Sequence, residues 1–224
     1  MIVLGECGNS TVKLAQAGQR WRCALAEALA WAERAAEATL VLAATAAEPG
    51  RALRAAWRGP VLEAGRELPL PDVGQYPGIG LDRVLAGLAA GGDAIVVDAG
   101  TATTLTAWDA RGRCLGGLIL PGRRAMSAGL AACAPALPRL DTLPAPAAAC
   151  QRDPAGAIAA GIAIGHPAMV AACLERLRRE TGCARTLLTG GEAESLPLSG
   201  ERRPWLVLEG LELLARRRGL PLTP

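Results

Sequence analysis

The segment Asp98-Ala99-Gly100-Thr101-Ala102-Thr103-Thr104 follows directly on the apolar run Ala94–Val97. A carboxylate at the end of a buried strand suits a cation or a cation-bound water. The glycine behind it allows a tight turn whose backbone N–H groups, with small hydroxyl side chains beside them, suit a phosphate. The same order of residue types occurs near the N-terminus, where Ile2-Val3-Leu4 leads into Glu6-Cys7-Gly8-Asn9-Ser10-Thr11-Val12-Lys13. A constant offset lays Glu6 on Asp98, Gly8 on Gly100 and Thr11 on Thr103. One such turn is ordinary hairpin chemistry. Two at equivalent places suggest a duplicated architecture with two phosphate-facing turns opposed across a cleft. Lys13, the sole lysine, lies two residues past the first turn and is a candidate phosphate contact.

Three further places carry candidate chemistry. Tyr76-Pro-Gly-Ile-Gly80-Leu81-Asp82-Arg83 ends a polar connection and opens a helical stretch. There Asp82 has two readings: a residue that caps the helix, or a general base that takes a proton from an attacking hydroxyl. In the second reading Arg83 binds a carboxylate with both of its terminal nitrogens. Thr189-Gly190-Gly191-Glu192 has the form of a strand-to-helix turn open to a nucleotide. His166, the single histidine, lies beside Pro167 on an apolar helix without a carboxylate near it in sequence, and reads as a structural residue.

The elements that must position these residues alternate along the chain. A hairpin over 2–26 precedes a helix over 24–38, a strand at 39–43, a helix from Pro49 to Trp57 and a strand at 60–64. A Pro/Gly-containing connection leads to a helix over 81–90 that Gly91-Gly92 stops. Strands follow near 94–98, 102–108 and 114–120, then a helix over 123–132 and an irregular Pro/Ala-rich connection over 134–154. A long helix over 155–181, in which His166-Pro167 could introduce a kink, precedes a strand at 186–189. A final helix after Pro204 places Leu206, Leu208, Leu211 and Leu214 on its buried side. Strands alternating with helices indicate an α/β fold of two related halves, divided as 1–91 and 92–224.

Composition narrows the class. The 224 residues are 51% hydrophobic, mostly Ala, Leu and Val, with no Phe and one Tyr. Such a core closes on small aliphatic contacts. A net charge of +3, spread along the chain, gives no ground for nucleic-acid binding. Seven scattered cysteines without a CxxC pair, beside one histidine, argue against a zinc site and for reduced thiols in a cytoplasmic protein. No segment reaches the roughly 18 uninterrupted apolar residues expected of a membrane span.

Taken together in this order, the motifs resemble the type III pantothenate kinases of the acetate and sugar kinase/actin superfamily. The resemblance rests on Glu6–Lys13, Gly80-Leu-Asp-Arg83, Asp98-Ala-Gly-Thr-Ala102, Gly116-Gly-Leu-Ile-Leu-Pro-Gly122, Thr189-Gly-Gly191 and Leu206-Val-Leu-Glu-Gly-Leu211. It implies the actin-like ATPase fold, two ribonuclease H-like halves with mixed sheets flanked by helices. It implies ATP contacts from Glu6, Cys7, Gly8, Asn9, Ser10, Thr11, Val12, Lys13 and Thr101, with Glu6 near the accompanying Mg2+. Gly80, Leu81, Asp82 and Arg83 would bind pantothenate, with Tyr76 and Pro154 nearby and Asp82 as base on the primary hydroxyl. Asp98 would hold the monovalent cation, K+ or NH4+, and the protein would be a homodimer. Two positions depart from the family pattern: Glu6 stands where an Asp is usual, and Pro154 falls where a Ser or Thr touches the substrate. They leave two other expectations in view, a non-catalytic or regulatory homologue and a small kinase for another hydroxylated acid.

Overall fold

A computed structural model describes residues 1–35, 37–143 and 148–222. Residue 36 of the expected helix over 24–38, and residues 144–147 of the expected irregular connection, lie outside the described residues. The chain divides into two units. The first comprises Met1–Gly92, Ala110–Cys114 and the residues from Trp205 on; the second comprises Asp93–Asp109 and Leu115–Pro204.

In the first unit, β1 (Ile2–Cys7), β2 (Val12–Gln16) and β3 (Gln19–Cys23) form an antiparallel meander. The chain then makes α1 (Leu25–Ala32), β4 (Thr39–Ala44), α2 (Ala47–Ala56), β5 (Val61–Glu63) and α3 (Leu81–Ala90). β4 and β5 add parallel on the other side of β1, giving the sheet order β3-β2-β1-β4-β5. Parallel neighbours need crossovers, and α1 and α2 supply them. One face of the sheet buries Val3, Leu14, Leu40 and Leu42 against Ala28, Ala32, Leu53 and Trp57. The indole of Trp57 donates to the Ala38 carbonyl at 2.8 Å. Its one polar atom is thereby satisfied inside this core.

The second unit repeats the topology. Its elements are β6 (Ala94–Ala99), β7 (Ala102–Trp108), β8 (Cys114–Pro121), α4 (Arg123–Cys133), α5 (Pro154–Thr181), β9 (Arg185–Thr189), a 3-10 turn at Ala193–Ser195 and β10 (Glu201–Arg202). The sheet order is β10-β9-β6-β7-β8, with β6 antiparallel to β7 and parallel to β9. Ile95, Val97, Leu105 and Leu188 pack against Val170, Leu174 and Leu177 of α5. Both sheets are mixed and carry the ribonuclease H-like strand order.

Several expected boundaries shift. The helix after the first hairpin ends at Ala32, six residues short of the expected limit, and α2 begins at Ala47, two residues before Pro49. α3 occupies the expected span, closed by Gly91 in the left-handed conformation at φ 73°, which suits a glycine after a helix end. α5 continues as one helix through Pro167 and is, by length and composition, apolar enough to cross a membrane, against the sequence expectation. Ile158, Ile162, Val170 and Leu174 on it are buried, and Val170 and Leu174 lie in the core of the second unit.

The last helix, α6 (Leu206–Arg217), differs most from the division at residue 91. It follows the second unit in sequence but packs on α3, β1 and β4 of the first. Leu206, Leu208, Leu211 and Leu214 are buried there as the spacing predicts. Arg20 on β3 pairs with Glu209 at 3.1 Å and with Glu212 at 3.2 Å. The helices meet closely because Gly210 faces α3: a Cβ at 210 would lie 1.9 Å from the Leu85 carbonyl oxygen. Gly210→Ala is expected to lower stability by about 3 kcal/mol in denaturant melts, since the helices must separate. Gly129 lies on an exposed turn of α4 with nothing within 4 Å of an added Cβ. Gly129→Ala is expected to raise stability by about 1 kcal/mol through helix propensity.

Candidate active site

β1 and β6 are the central strands of their sheets, and each carries its carboxylate one residue from its C-terminal end: Glu6 and Asp98. The two turns that follow differ in length. Four residues, Gly8–Thr11, separate Cys7 from its partner Val12, whereas three, Gly100–Ala102, separate Ala99 from Thr103. The constant offset read from the sequence therefore holds for the strands that carry the carboxylates and slips by one on the return strands. Thr11 lies in its turn, while Thr103 is already paired.

The slip decides what stands opposite each carboxylate. Glu6 faces Lys13 directly across the β1–β2 pair. The Lys13 ammonium lies 3.2 Å from Glu6 Oε1 and 3.0 Å from Oε2. Lys13 and Glu6 are only 6% and 7% exposed. A buried pair of this geometry is neutral overall, and each partner depends on the other. Opposite Asp98 stands Thr104, which carries no charge. On the other side Asp98 is paired with Thr189, whose hydroxyl is buried with no hydrogen-bond partner. A carboxylate beside an unused buried hydroxyl is an all-oxygen donor set, which suits a hard cation. Among the described residues no group of three or more His, Cys, Asp and Glu side chains could hold a metal.

The first turn is built by backbone contacts. The Gly8 amide donates to the Thr11 carbonyl at 3.0 Å, and the Cys7 carbonyl accepts from the Ala46 amide and the Thr45 hydroxyl, both at 2.8 Å. Asn9 and Ser10 are exposed at its tip, whereas Val12 is buried in β2. Cys7 faces the core; burial, and then the charge of Glu6, push its thiol up to about 12. A thiol so protonated is no nucleophile. The second turn is held from two sides. The Gly122 amide donates to the Thr101 carbonyl at 3.1 Å, and a Cβ at 122 would lie 2.1 Å from the Gly100 carbonyl oxygen. Gly190, at φ 93°, lies so near Asp98 and Ala99 that a Cβ would meet Asp98 Oδ1 at 2.4 Å. Only glycine meets both demands there. The Glu192 amide donates to the Ala99 carbonyl at 2.9 Å. Thr101 itself is exposed.

The third segment lies at the start of α3. Gly80 is the residue before the first turn and caps it without a side-chain hydrogen bond, so Asp82 is not the capping residue. Asp82 is half-buried in the first turn, where its Oδ1 accepts from the Arg83 amide at 2.8 Å. The helix dipole favours its charge at that place. Arg83 is buried, with its guanidinium 5.6 Å from the Tyr76 ring centroid and donating to the Tyr76 hydroxyl. The ring face adds a cation–π attraction to that hydrogen bond. The structure thus brings Tyr76, Asp82 and Arg83 together, with Leu81 beside them on the helix. Pro154 is the first residue of α5. The Asp153 carboxylate caps that helix through the Gly156 amide at 2.8 Å. Pro154 is exposed and has no N–H to offer.

Sequence reading missed a fourth group. His166 is fully buried, and its Nε2 lies 2.9 Å from the hydroxyl of Thr103. Burial holds its imidazole below the usual value, opposed by the charge of Glu192 and assisted by that of Arg123. Those partners come from three separate elements, so no spacing pattern announces them.

The repeated mixed sheets are those of the actin-like ATPase fold. Residues 2–176 match the profile of the type III pantothenate kinases, and the chain belongs to that family. A type III pantothenate kinase of Synechococcus sp. (strain JA-3-3Ab) is 38% identical over 158 residues, covering 65% of this chain and 64% of its own length. That of Gluconobacter oxydans is 37% identical over 155 residues, 65% of this chain and 57% of its own. The chain thus spans between 57% and 64% of the length of these curated relatives. Among solved structures, a conserved Baf family protein from Campylobacter jejuni superimposes with a TM-score of 0.65 at 19% identity, over 97% of this chain and 98% of its own. The ethanolamine utilization protein EutJ from Carboxydothermus hydrogenoformans gives 0.54 at 14% identity, over 95% and 89%. At these identities the two structures speak for the fold alone.

A double-mutant cycle tests the Glu6–Lys13 pair. Lys13→Met alone is expected to cost about 3–5 kcal/mol in chemical denaturation because it strands a buried carboxylate. Adding Glu6→Gln is expected to recover most of that loss, with a coupling that persists in high salt.

Proposed function

We propose that this chain transfers the γ-phosphoryl group of ATP to the primary hydroxyl of pantothenate, giving 4'-phosphopantothenate, the first step toward coenzyme A. The observation that carries the proposal is the grouping of Asp82, Arg83 and Tyr76 at the start of α3, in a chain of this family that also has both carboxylate turns. Gly80, Leu81, Asp82 and Arg83 take pantothenate. Arg83 and Tyr76 supply donors for its carboxylate, and Pro154 offers the substrate only ring carbons. Asp82 accepts the hydroxyl proton as the oxygen–phosphorus bond forms and the bond from phosphorus to the bridging oxygen of ADP breaks. With Oδ1 held by the Arg83 amide, Oδ2 is the oxygen left to take that proton.

The turn Glu6–Lys13 and Thr101 contact the ATP phosphates through backbone amides, hydroxyls and the Lys13 ammonium. Glu6 already shares Lys13, so the Mg2+ that accompanies ATP lies near a carboxylate whose charge is partly compensated. Asp98, with the unused hydroxyl of Thr189, holds a monovalent cation, K+ or NH4+. Bound cations offset the negative charge of the phosphates in the transition state. The second unit exposes Leu115 and Ile119 on β8, Leu130 on α4 and Ile164 on α5, apolar area that supports a homodimer. The enzyme works in the cytoplasm, without nucleic acid or membrane.

In a coupled ADP-release assay with ATP, Mg2+, K+ and pantothenate, the native protein is expected to turn over. Asp82→Asn is expected to lower kcat by about 10²–10⁴-fold while leaving ATP affinity unchanged. Full turnover in Asp82→Asn would reject Asp82 as the base, and an inert native protein would reject the activity.

A further inference from the structure

The turn at Asp98–Ala102 is supported from the face of the sheet away from Asp98. Side chains alternate along β6, so Ala99 and its partner Thr103 lie on the α5 side while Asp98 and Thr104 lie on the other. Four residues gather behind the turn. His166 comes from α5, Thr103 from β7, Arg123 from the first position of α4, and Glu192 from the connection after β9. The hydroxyl of Thr103 meets His166 Nε2 at 2.9 Å, and both residues are fully buried. The charges of Glu192 and Arg123 both act on the imidazole. His166 Nδ1, Arg123 Nε and Glu192 Oε2 are buried without a hydrogen-bond partner among the described residues, so it is Nε2 and Thr103 that tie the ring to the turn.

Two members sit on the segments that hold the turn. Arg123 follows Gly122, whose amide binds the Thr101 carbonyl, and Arg123 is itself tied to the Leu143 carbonyl at 3.1 Å. The amide of Glu192 binds the Ala99 carbonyl. The ring thus stands among the three elements that fix the turn: its return strand, the start of α4 and the segment after β9. A histidine is not needed to fill an apolar helix face; here it gives the buried Thr103 hydroxyl a partner that Phe or Leu would not supply.

We infer that His166, in its neutral form, is a positioning residue that holds the turn Asp98–Ala102 in its phosphate-binding shape through its buried hydrogen bond to Thr103 on the return strand. The inference rests on the proposed placing of ATP phosphates at that turn. It gives the single histidine a part in nucleotide affinity without contact with either substrate. Acid should weaken that part. The imidazole of the folded chain binds a proton less readily than that of the unfolded chain. Stability is therefore complete above the ordinary imidazole value, roughly 6.5, and declines as pH falls below it; the turn loses its support as pH passes the lowered value of the folded imidazole.

Calorimetric binding of ATP with Mg2+ to the whole chain, in the absence of pantothenate, tests this. His166→Phe, which keeps volume and removes both nitrogens, is expected to weaken ATP binding roughly tenfold, the size of one hydrogen bond. His166→Gln, which keeps a polar atom for Thr103, and Thr103→Val should fall between that variant and the native protein. Lowering the pH from 7.5 to 5.5 should weaken ATP binding more in the native protein than in His166→Gln. In turnover, the KM for ATP should rise in His166→Phe and the KM for pantothenate should not. Equal ATP affinity in the native protein and His166→Phe would overturn the inference. So would a pH response common to both proteins, or a loss that merely follows the fall in melting temperature across the variants. A native protein that binds ATP but does not phosphorylate pantothenate would refute the proposed acceptor and leave the histidine comparison intact. One that binds no ATP would refute both.

Discussion

Each unit depends on a central strand that is hydrogen-bonded on both edges. β1 and β6 pair antiparallel with the strand that follows and parallel with a strand reached through a helical crossover. A strand so placed has nearly all its amides and carbonyls committed, and its alternate side chains are buried on both faces. Charge can then leave the apolar run only at the strand's end, which is where Glu6 and Asp98 stand. The turns behind them inherit a fixed position, because the paired strands leave their backbones no freedom to drift. A one-residue difference in turn length gives the two carboxylates different partners, an ammonium for Glu6 and an uncharged hydroxyl for Asp98.

The composition makes this framework dense rather than bulky. With no Phe in the chain, close contact comes from small residues, as where Gly210 meets the backbone of Leu85 and Gly122 meets that of Gly100 and Thr101. Backbone pressed on backbone transmits displacement with little slack. The polar groups inside follow the same rule. Glu6 and Lys13 neutralise each other, and His166 joins Thr103 under the second turn. These contacts are buried beside the turns, whereas Asn9, Ser10 and Thr101 are exposed on them.

Much of this was legible in the sequence, for local reasons. Apolar runs ending in a carboxylate and glycine mark β1 and β6, and Gly91-Gly92 ends α3 at the expected residue. The leucine spacing of α6 gives its buried side, and the ordered motifs give the family. What stayed hidden depends on register and long-range packing. A turn shortened by one residue is invisible to a constant offset, because Thr is acceptable both in a turn and in a strand. That α6 belongs to the first unit follows from its packing on α3, far away in sequence. His166 looked isolated because Thr103, Arg123 and Glu192 come from other elements. Asp82 looked like a possible cap, and only the backbone conformation at Gly80 assigns that place to the glycine.

We propose that the grouping of Tyr76, Asp82 and Arg83 serves a transfer of phosphate to a hydroxylated acid. Phosphorus NMR of a reaction with stoichiometric ATP and pantothenate, in Mg2+ and K+, tests it most directly. The γ-phosphate signal of ATP is expected to give way to one phosphomonoester on the primary hydroxyl of pantothenate, in equal amount to the ADP formed. ADP appearing with inorganic phosphate and no phosphomonoester, or no change at all, would contradict it.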